Sequence, residues 1–138
     1  MKHFGCVSNF AAERNAELLR TFRLHIAAAK YVVMPQIFRQ VANSPSSRFW
    51  VSESRAAIVV AAMANGKALP RMAPTKREMY NEIYRRYKEL AQSMPGEPLA
   101  DVVAMVVHQP APKFYLTPRT VGEMIYRTRH QHYGGCKR

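Results

Sequence analysis

Acidic residues, glycine and cysteine are all scarce in this 138-residue chain, and it has no long apolar run. The six glycines stand singly apart from the Gly134-Gly135 pair, so no glycine-rich loop is available to cradle phosphates. The two cysteines, Cys6 and Cys136, sit at opposite ends. That placement excludes a disulfide framework and favours free thiols in a reducing cytosol, with a single bridge between the termini as the alternative. The longest apolar run, Ala56 to Ala64, falls well short of the roughly 20 residues that a membrane span requires. The opening stretch MKHFGCVSNF carries a lysine but no apolar core segment, so a secretory signal is not expected.

Catalytic chemistry is equally sparse. No Ser–His–acid or Cys–His pairing stands out. His130 and His132 followed by Cys136 form a mixed set with poor zinc spacing, and His25 and His108 read as helix-surface or helix-end residues. The expectation is therefore a protein that is not an enzyme and has no cofactor and no metal.

What is abundant is positive charge: 21 Lys and Arg against nine Asp and Glu, a net +12. An excess of that size favours an anionic partner, nucleic acid first, with an acidic protein as the alternative.

The chain also repeats itself. PSSRFWVS, residues 45–52, and PAPKFYLT, residues 110–117, lie 65 positions apart. At that offset Arg48 meets Lys113, Phe49 meets Phe114, Trp50 meets Tyr115, and Ser52 meets Thr117. The register continues outside the phrase, with Glu17 on Glu82, Arg20 on Arg85, Ile37 on Val102, Val41 on Val106, and Val60 on Ile125. Self-similarity at a fixed spacing is the mark of a repeated structural unit.

Each copy reads as three helices. In the first, Leu18, Leu19, Phe22 and Ile26 form an apolar stripe at helical spacing between residues 11 and 30. The matching helix of the second copy carries Met79, Ile83, Tyr87 and Leu90, and Thr75–Glu78 has the form of a capping box. A short second helix follows Pro35 or Pro98 and closes at Pro45 or Pro110. The repeated phrase then favours extended backbone, buries its aromatics, and offers Ser52 and Thr117 as N-caps of the third helices.

The expected fold is therefore all-α: two tandem three-helix, helix-turn-helix-like units from an internal duplication at offset 65, packed into one domain. The expected boundaries are a tail at 1–10, a first unit at 11–67, a linker at 68–75, a second unit at 76–132, and a basic tail at 133–138. The joint before the third helix is about twice the usual 3–4-residue turn of helix-turn-helix proteins.

The two third helices differ. In the second copy Val121, Met124, Ile125 and Thr128 make an inner stripe, while Arg119, Glu123, Tyr126 and Arg127 lie outside it, with Arg129, His130 and His132 beyond. Such a face suits a phosphate backbone, or else it is a solvated ladder of charges. The third helix of the first copy is apolar all round, with Ala57, Ile58, Ala61 and Ala62 opposite Ala56, Val59, Val60 and Met63, which predicts burial between units or subunits.

The stretches SRFWVSESRAAIVV, TKREMYNEIYRRYKEL and QPAPKFYLTPRTVGEMIY, spanning about residues 16–127, resemble phrases of small basic helical proteins from phages and mobile elements of gut bacteria. The resemblance implies a cytoplasmic setting in a bacterial host and a role in phage or element biology. That family has no settled activity, so no catalytic residue carries over.

The expected partner is nucleic acid, duplex DNA in particular, with a homo-oligomer or a phage protein as a further partner and no membrane. Arg48, Lys113, Arg119, Arg127, Arg129, Lys137 and Arg138 are the expected phosphate contacts. Lys76, Arg77, Arg85 and Arg86 form a second cluster, partly neutralised by Glu82 and Glu89. A structural or adaptor protein of a virion is the competing expectation.

Overall fold

The structure, a computed structural model, describes residues 7–134. Among them are six helices and no strand: α1 (Val7–Ala28), α2 (Met34–Ala42), α3 (Glu53–Ala64), α4 (Pro74–Ser93), α5 (Leu99–Val107) and α6 (Pro118–Gly134).

The helix boundaries keep the spacing of the repeated phrase. Met34 and Leu99, which start α2 and α5, are 65 positions apart, as are Ala42 and Val107, which end them. The ends of α1 and α4 and the starts of α3 and α6 are separated by the same 65 residues.

Local chemistry explains most of these ends. Ser52 Oγ accepts the Arg55 amide at 3.1 Å, and Thr117 Oγ1 accepts the Thr120 amide at 3.1 Å, so both hydroxyls cap third helices as expected. At the far end of α3, Gly66 takes φ 71°, the Lys67 amide reaches Ala62 O at 2.9 Å, and the Gly66 amide reaches Met63 O at 3.1 Å. This is a Schellman closure, which relies on glycine's tolerance of left-handed backbone. The expected capping box at Thr75 does not form. Ala73 is the N-cap and contributes no side-chain bond, and Pro74 occupies the first turn. A residue that precedes proline is pushed out of helical geometry, so the extended cap position falls on Ala73 and Thr75 lies already inside the helix.

The helices sort into two units, and not along the chain. Unit 1 comprises residues 1–45 and 112–138, and unit 2 comprises residues 46–111. In unit 1, α1, α2 and α6 pack on one another. Their core holds Leu18, Leu19 and Phe22 from α1, Ile37, Val41 and Ala42 from α2, and Val121 and Ile125 from α6, with Phe114 and Tyr115 from the segment before it. Gly122 permits the approach of α6 to α2, because a Cβ there would lie 2.7 Å from the Phe38 ring.

In unit 2, α3, α4 and α5 pack on one another. Phe49, Val51, Ala56, Val59 and Val60 meet Met79, Tyr80 and Ile83 of α4 and Val102, Val103, Val106 and Val107 of α5 in its core.

The contiguous units expected at 11–67 and 76–132 are therefore corrected: the third helix of each stretch belongs with the first two helices of the other. The physical cause lies in the joints. Within unit 2, the Phe49 amide donates to Val107 O at 2.9 Å; within unit 1, the Phe114 amide donates to Ala42 O at 3.1 Å. Each joint is thus tied to the end of the short helix from the other stretch. Ser46 and Ala111 also exchange two backbone hydrogen bonds of 2.9 Å in an antiparallel bridge.

A second correction concerns the burial of α3 expected between units; a subunit interface is the expectation that remains. Ala56, Val59 and Val60 are buried, but Ile58 is 61% exposed and Ala57, Ala61 and Ala62 are half-buried within the chain. A face made largely of alanine offers little apolar area, so little burial energy holds it against another surface.

Phe49 and Phe114 are 0% and 3% exposed. Replacement of either by alanine is expected to cost about 3–5 kcal/mol in chemical denaturation, while Ile58→Ala should stay within about 0.5 kcal/mol. A loss below about 1 kcal/mol at either phenylalanine would contradict its place in a packed core.

Candidate nucleic-acid interface

The grouping of helices redistributes charge. Over residues 7–134, a cut between residues 67 and 68 gives a first stretch with eight Lys/Arg against three acids and a second with ten against six, so they carry +5 and +4. The structural units differ from this: among the described residues unit 1 has nine Lys/Arg against three acids, a net +6, and unit 2 has nine against six, a net +3. An anionic polymer therefore meets its strongest attraction at unit 1.

Within unit 1 the outer surface of α6 is the best candidate contact. Val121 and Ile125 are buried and Met124 and Thr128 half-buried, which turns Arg119, Glu123, Tyr126, Arg127 and His130 to solvent. Thr128 Oγ1 donates to Met124 O at 2.7 Å, so its hydroxyl is satisfied along the helix itself. Arg119 pairs with Glu123 at 3.2 Å, yet its side chain is 88% exposed. An ion pair so open to water contributes about 0–1 kcal/mol and yields readily to a phosphate. Tyr126 lies 4.8 Å from the His130 ring, placing two flat groups beside the arginines. Arg129 is exposed on the same helix. Lys137 and Arg138 lie outside the described residues.

The two basic residues of the repeated phrase have different surroundings. Arg48 is half-buried; its Nε donates to Phe49 O at 3.0 Å, its Nη2 donates to Val51 O at 2.9 Å, and its guanidinium lies 5.2 Å from the Trp50 ring centre. Trp50 Nε1 donates to Ser46 Oγ at 2.7 Å, and that hydroxyl donates to Arg48 O at 3.1 Å. The arginine thus closes the joint of unit 2. Lys113, also half-buried, holds its ammonium 5.7 Å from the ring centre of Tyr115. Tyr115 adopts φ 60°, a left-handed conformation that costs a bulky residue about 1–3 kcal/mol and persists here with the ring buried. Both basic residues pack on an aromatic of their own joint, at equivalent positions of the phrase.

The second basic cluster is heavily paired. Arg85 reaches Glu82 at 2.7 Å and Glu89 at 2.8 Å, and Arg86 reaches Glu82 at 2.8 Å. The hydrogen bond from Arg85 is the main reason that the Glu82 carboxyl falls from 4.5 to about 2, against an opposing contribution from burial. The sequence pattern foretold this partial neutralisation but not the further role of Arg86. Its Nη1 donates to Pro110 O at 2.8 Å and to Gln109 Oε1 at 3.2 Å, and its guanidinium lies 5.0 Å from the Phe49 ring centre. It therefore clamps α4 to both joint segments of unit 2. Only the fold brings these residues together, because 24 positions separate Arg86 from Pro110 and Phe49 lies earlier still. Among the described residues no group of three or more His, Cys, Asp or Glu is placed to hold a metal.

The Glu82 network predicts an acid-labile contribution to stability. A carboxylate whose value is depressed in the folded state stabilises fully above its unfolded value and loses that contribution as pH falls through the folded one. The window here runs from about 4.5 down to about 2. Between pH 5 and pH 3 the wild type should lose about 1–2 kcal/mol more than Glu82→Gln, measured by urea denaturation, after allowance for solvent screening. Equal losses in the two proteins would show that Glu82 is not held by its arginines.

No protein-family model, no curated protein and no solved structure matches this chain, so its function has to be read from its own residues.

Proposed function

We propose that the protein is a non-enzymatic, duplex-DNA-binding accessory protein, built from a duplicated three-helix sequence whose third helices are exchanged. In this reading it serves a phage or mobile element in the cytoplasm of a bacterial host. The 65-residue spacing supports the duplication. It recurs in the helix boundaries, in the two serine/threonine caps, and in the matched bonds Phe49 N–Val107 O and Phe114 N–Ala42 O.

The observation that carries the binding reading is the +6 of the described part of unit 1 combined with the exposed basic face of α6. Arg119 and Arg127 stand eight residues apart on one helix face, where they engage phosphates as α6 lies along the backbone. Arg129 adds to this charge, and Lys137 and Arg138 follow it in the sequence. Arg48 and Lys113 act mainly by holding the joints, because each already packs on its own aromatic. The exposed Ile58 and Leu24, 61% and 71% accessible, are what favours the competing reading of an assembly or adaptor protein.

Counterion release makes binding fall with salt, at roughly −0.9 in log K per phosphate contact, so four to five contacts give a slope of about −4. Arg119→Ala with Arg127→Ala should weaken binding to all sequences and flatten the slope by about 2. Arg77→Ala, an exposed position in unit 2, is the control and should change little. Absence of binding at low salt would rule out the nucleic-acid reading in favour of assembly. Binding that keeps its full slope in the double variant would move the contact to another face.

A further inference from the structure

Unit 1 contains an open cleft of about 440 Å³ where the end of α1, the connection to α2, and α2 itself come together. Its lining includes His25, Lys30, Tyr31, Gln36, Ile37 and Gln40. The volume lies within the range of small-molecule sites, about 300–1,000 Å³.

The other stretch of the chain serves as an internal control. Sixty-five positions on, the same places hold Leu90, Pro95, Gly96, Asp101, Val102 and Met105. There the helix connection turns on the Pro95-Gly96-Glu97-Pro98 run, with Gly96 at φ 88°. Joining these two helices therefore needs neither an aromatic nor a cation. In unit 1 the connection instead presents Tyr31 at 79% exposure and Val32 at 53%, beside Lys30. Packing does not account for such a tyrosine, and the cleft beside it has chemistry of its own.

The polar groups of the cleft are ordered. Ser44 Oγ donates to Gln40 O at 2.7 Å, so it must accept from His25 Nε2 at 2.8 Å. That assignment puts a proton on Nε2, which fixes the ring against Ser44. Gln36 and Gln40 lie one turn apart on α2, and each amide offers both donors and an acceptor. Ile37, 2% exposed, forms an apolar floor.

We infer that this cleft takes an unpaired nucleobase with its phosphate. Tyr31 stacks on the face of the base, the amides of Gln36 and Gln40 read its edge, and Lys30 meets the phosphate. Aromatic stacking, amide readout and a cation are the chemistry by which proteins hold unpaired bases. The inference rests on the nucleic-acid reading and refines it: the preferred ligand is nucleic acid with exposed bases, such as a single-stranded end or a junction, over uninterrupted duplex.

The test is a titration of the full chain with a DNA duplex and with the same duplex bearing a short single-stranded overhang that contains 2-aminopurine. The overhang should bind more tightly, and its fluorescence should be quenched on binding. Tyr31→Ala should remove roughly 5- to 100-fold of that preference, the range expected for one base stacked on an aromatic, while Tyr31→Phe should retain it. Duplex binding should be unchanged in both variants, which checks that they fold. Equal binding of the two DNAs by the wild type overturns the inference and leaves the duplex reading standing, as does a preference that survives Tyr31→Ala. A Tyr31-dependent preference for the overhang with no duplex binding supports the cleft and overturns the duplex contact at α6. A chain that binds neither DNA overturns both.

Discussion

Two backbone hydrogen bonds, one in each unit, tie together the helices that share a core. Phe49 N to Val107 O and Phe114 N to Ala42 O fasten each joint to the end of a short helix drawn from the other stretch of sequence. The prolines at 45 and 110 stop the short helices and keep the following chain extended, so the joint reaches across instead of folding back. A buried phenylalanine then fixes each joint in place, and a hydroxyl caps the helix that follows. Loss of such an anchor leaves a buried amide or a cavity, each costing on the order of 1–5 kcal/mol, a large share of the stability of units this small.

The charge distribution follows from that exchange. The segment that joins unit 1, residues 112–134, carries four Lys/Arg and one acid. It joins α1 and α2, whose stretch also has few acids, and the +6 of the described part of unit 1 results. Unit 2 has α4, whose glutamates hold Arg85 and Arg86 in a closed network. The proposed duplication thus yields one unit with the larger excess of positive charge and one in which Arg85 and Arg86 are held by their own helix's glutamates. The proposed nucleobase cleft lies in the same unit as the basic face of α6.

Much of this was legible in the sequence. The apolar stripe through Leu18 and Phe22, the caps at Ser52 and Thr117, and the burial of Phe49 and Phe114 follow from spacing and residue type alone. The exchange does not. The two phrases are alike enough to suit either pair of partners, and the residue that distinguishes them, Gly122 where α3 has Ala57, shows its meaning only once it is seen against the Phe38 ring. The structural part played by Arg48 was hidden for a related reason: a basic residue beside an aromatic can serve a phosphate or its own joint equally well, and its bonds to Phe49 O and Val51 O become visible only in the fold. Thr75 misled because the proline before it takes the first turn, and the burial of Ile58 between units was misread because its helix mates are alanines with little area to bury. The cleft carries no motif; it emerges only when Tyr31 and Lys30 are compared with Gly96 and Pro95.

The exchange itself is open to a direct measurement. A protease site placed in the connection 65–73, between α3 and α4, can be cut in the folded protein, and the nicked chain examined by size-exclusion chromatography under dilute native conditions. If α3 packs with α4 and α5 while α6 packs with α1 and α2, each unit contains helices from both fragments. The two fragments should then elute together, with the helical circular dichroism of the intact chain, and separate only in denaturant. Fragments that part on dilution while each keeps its helical signal would show that every third helix packs within its own stretch, and would contradict the exchange.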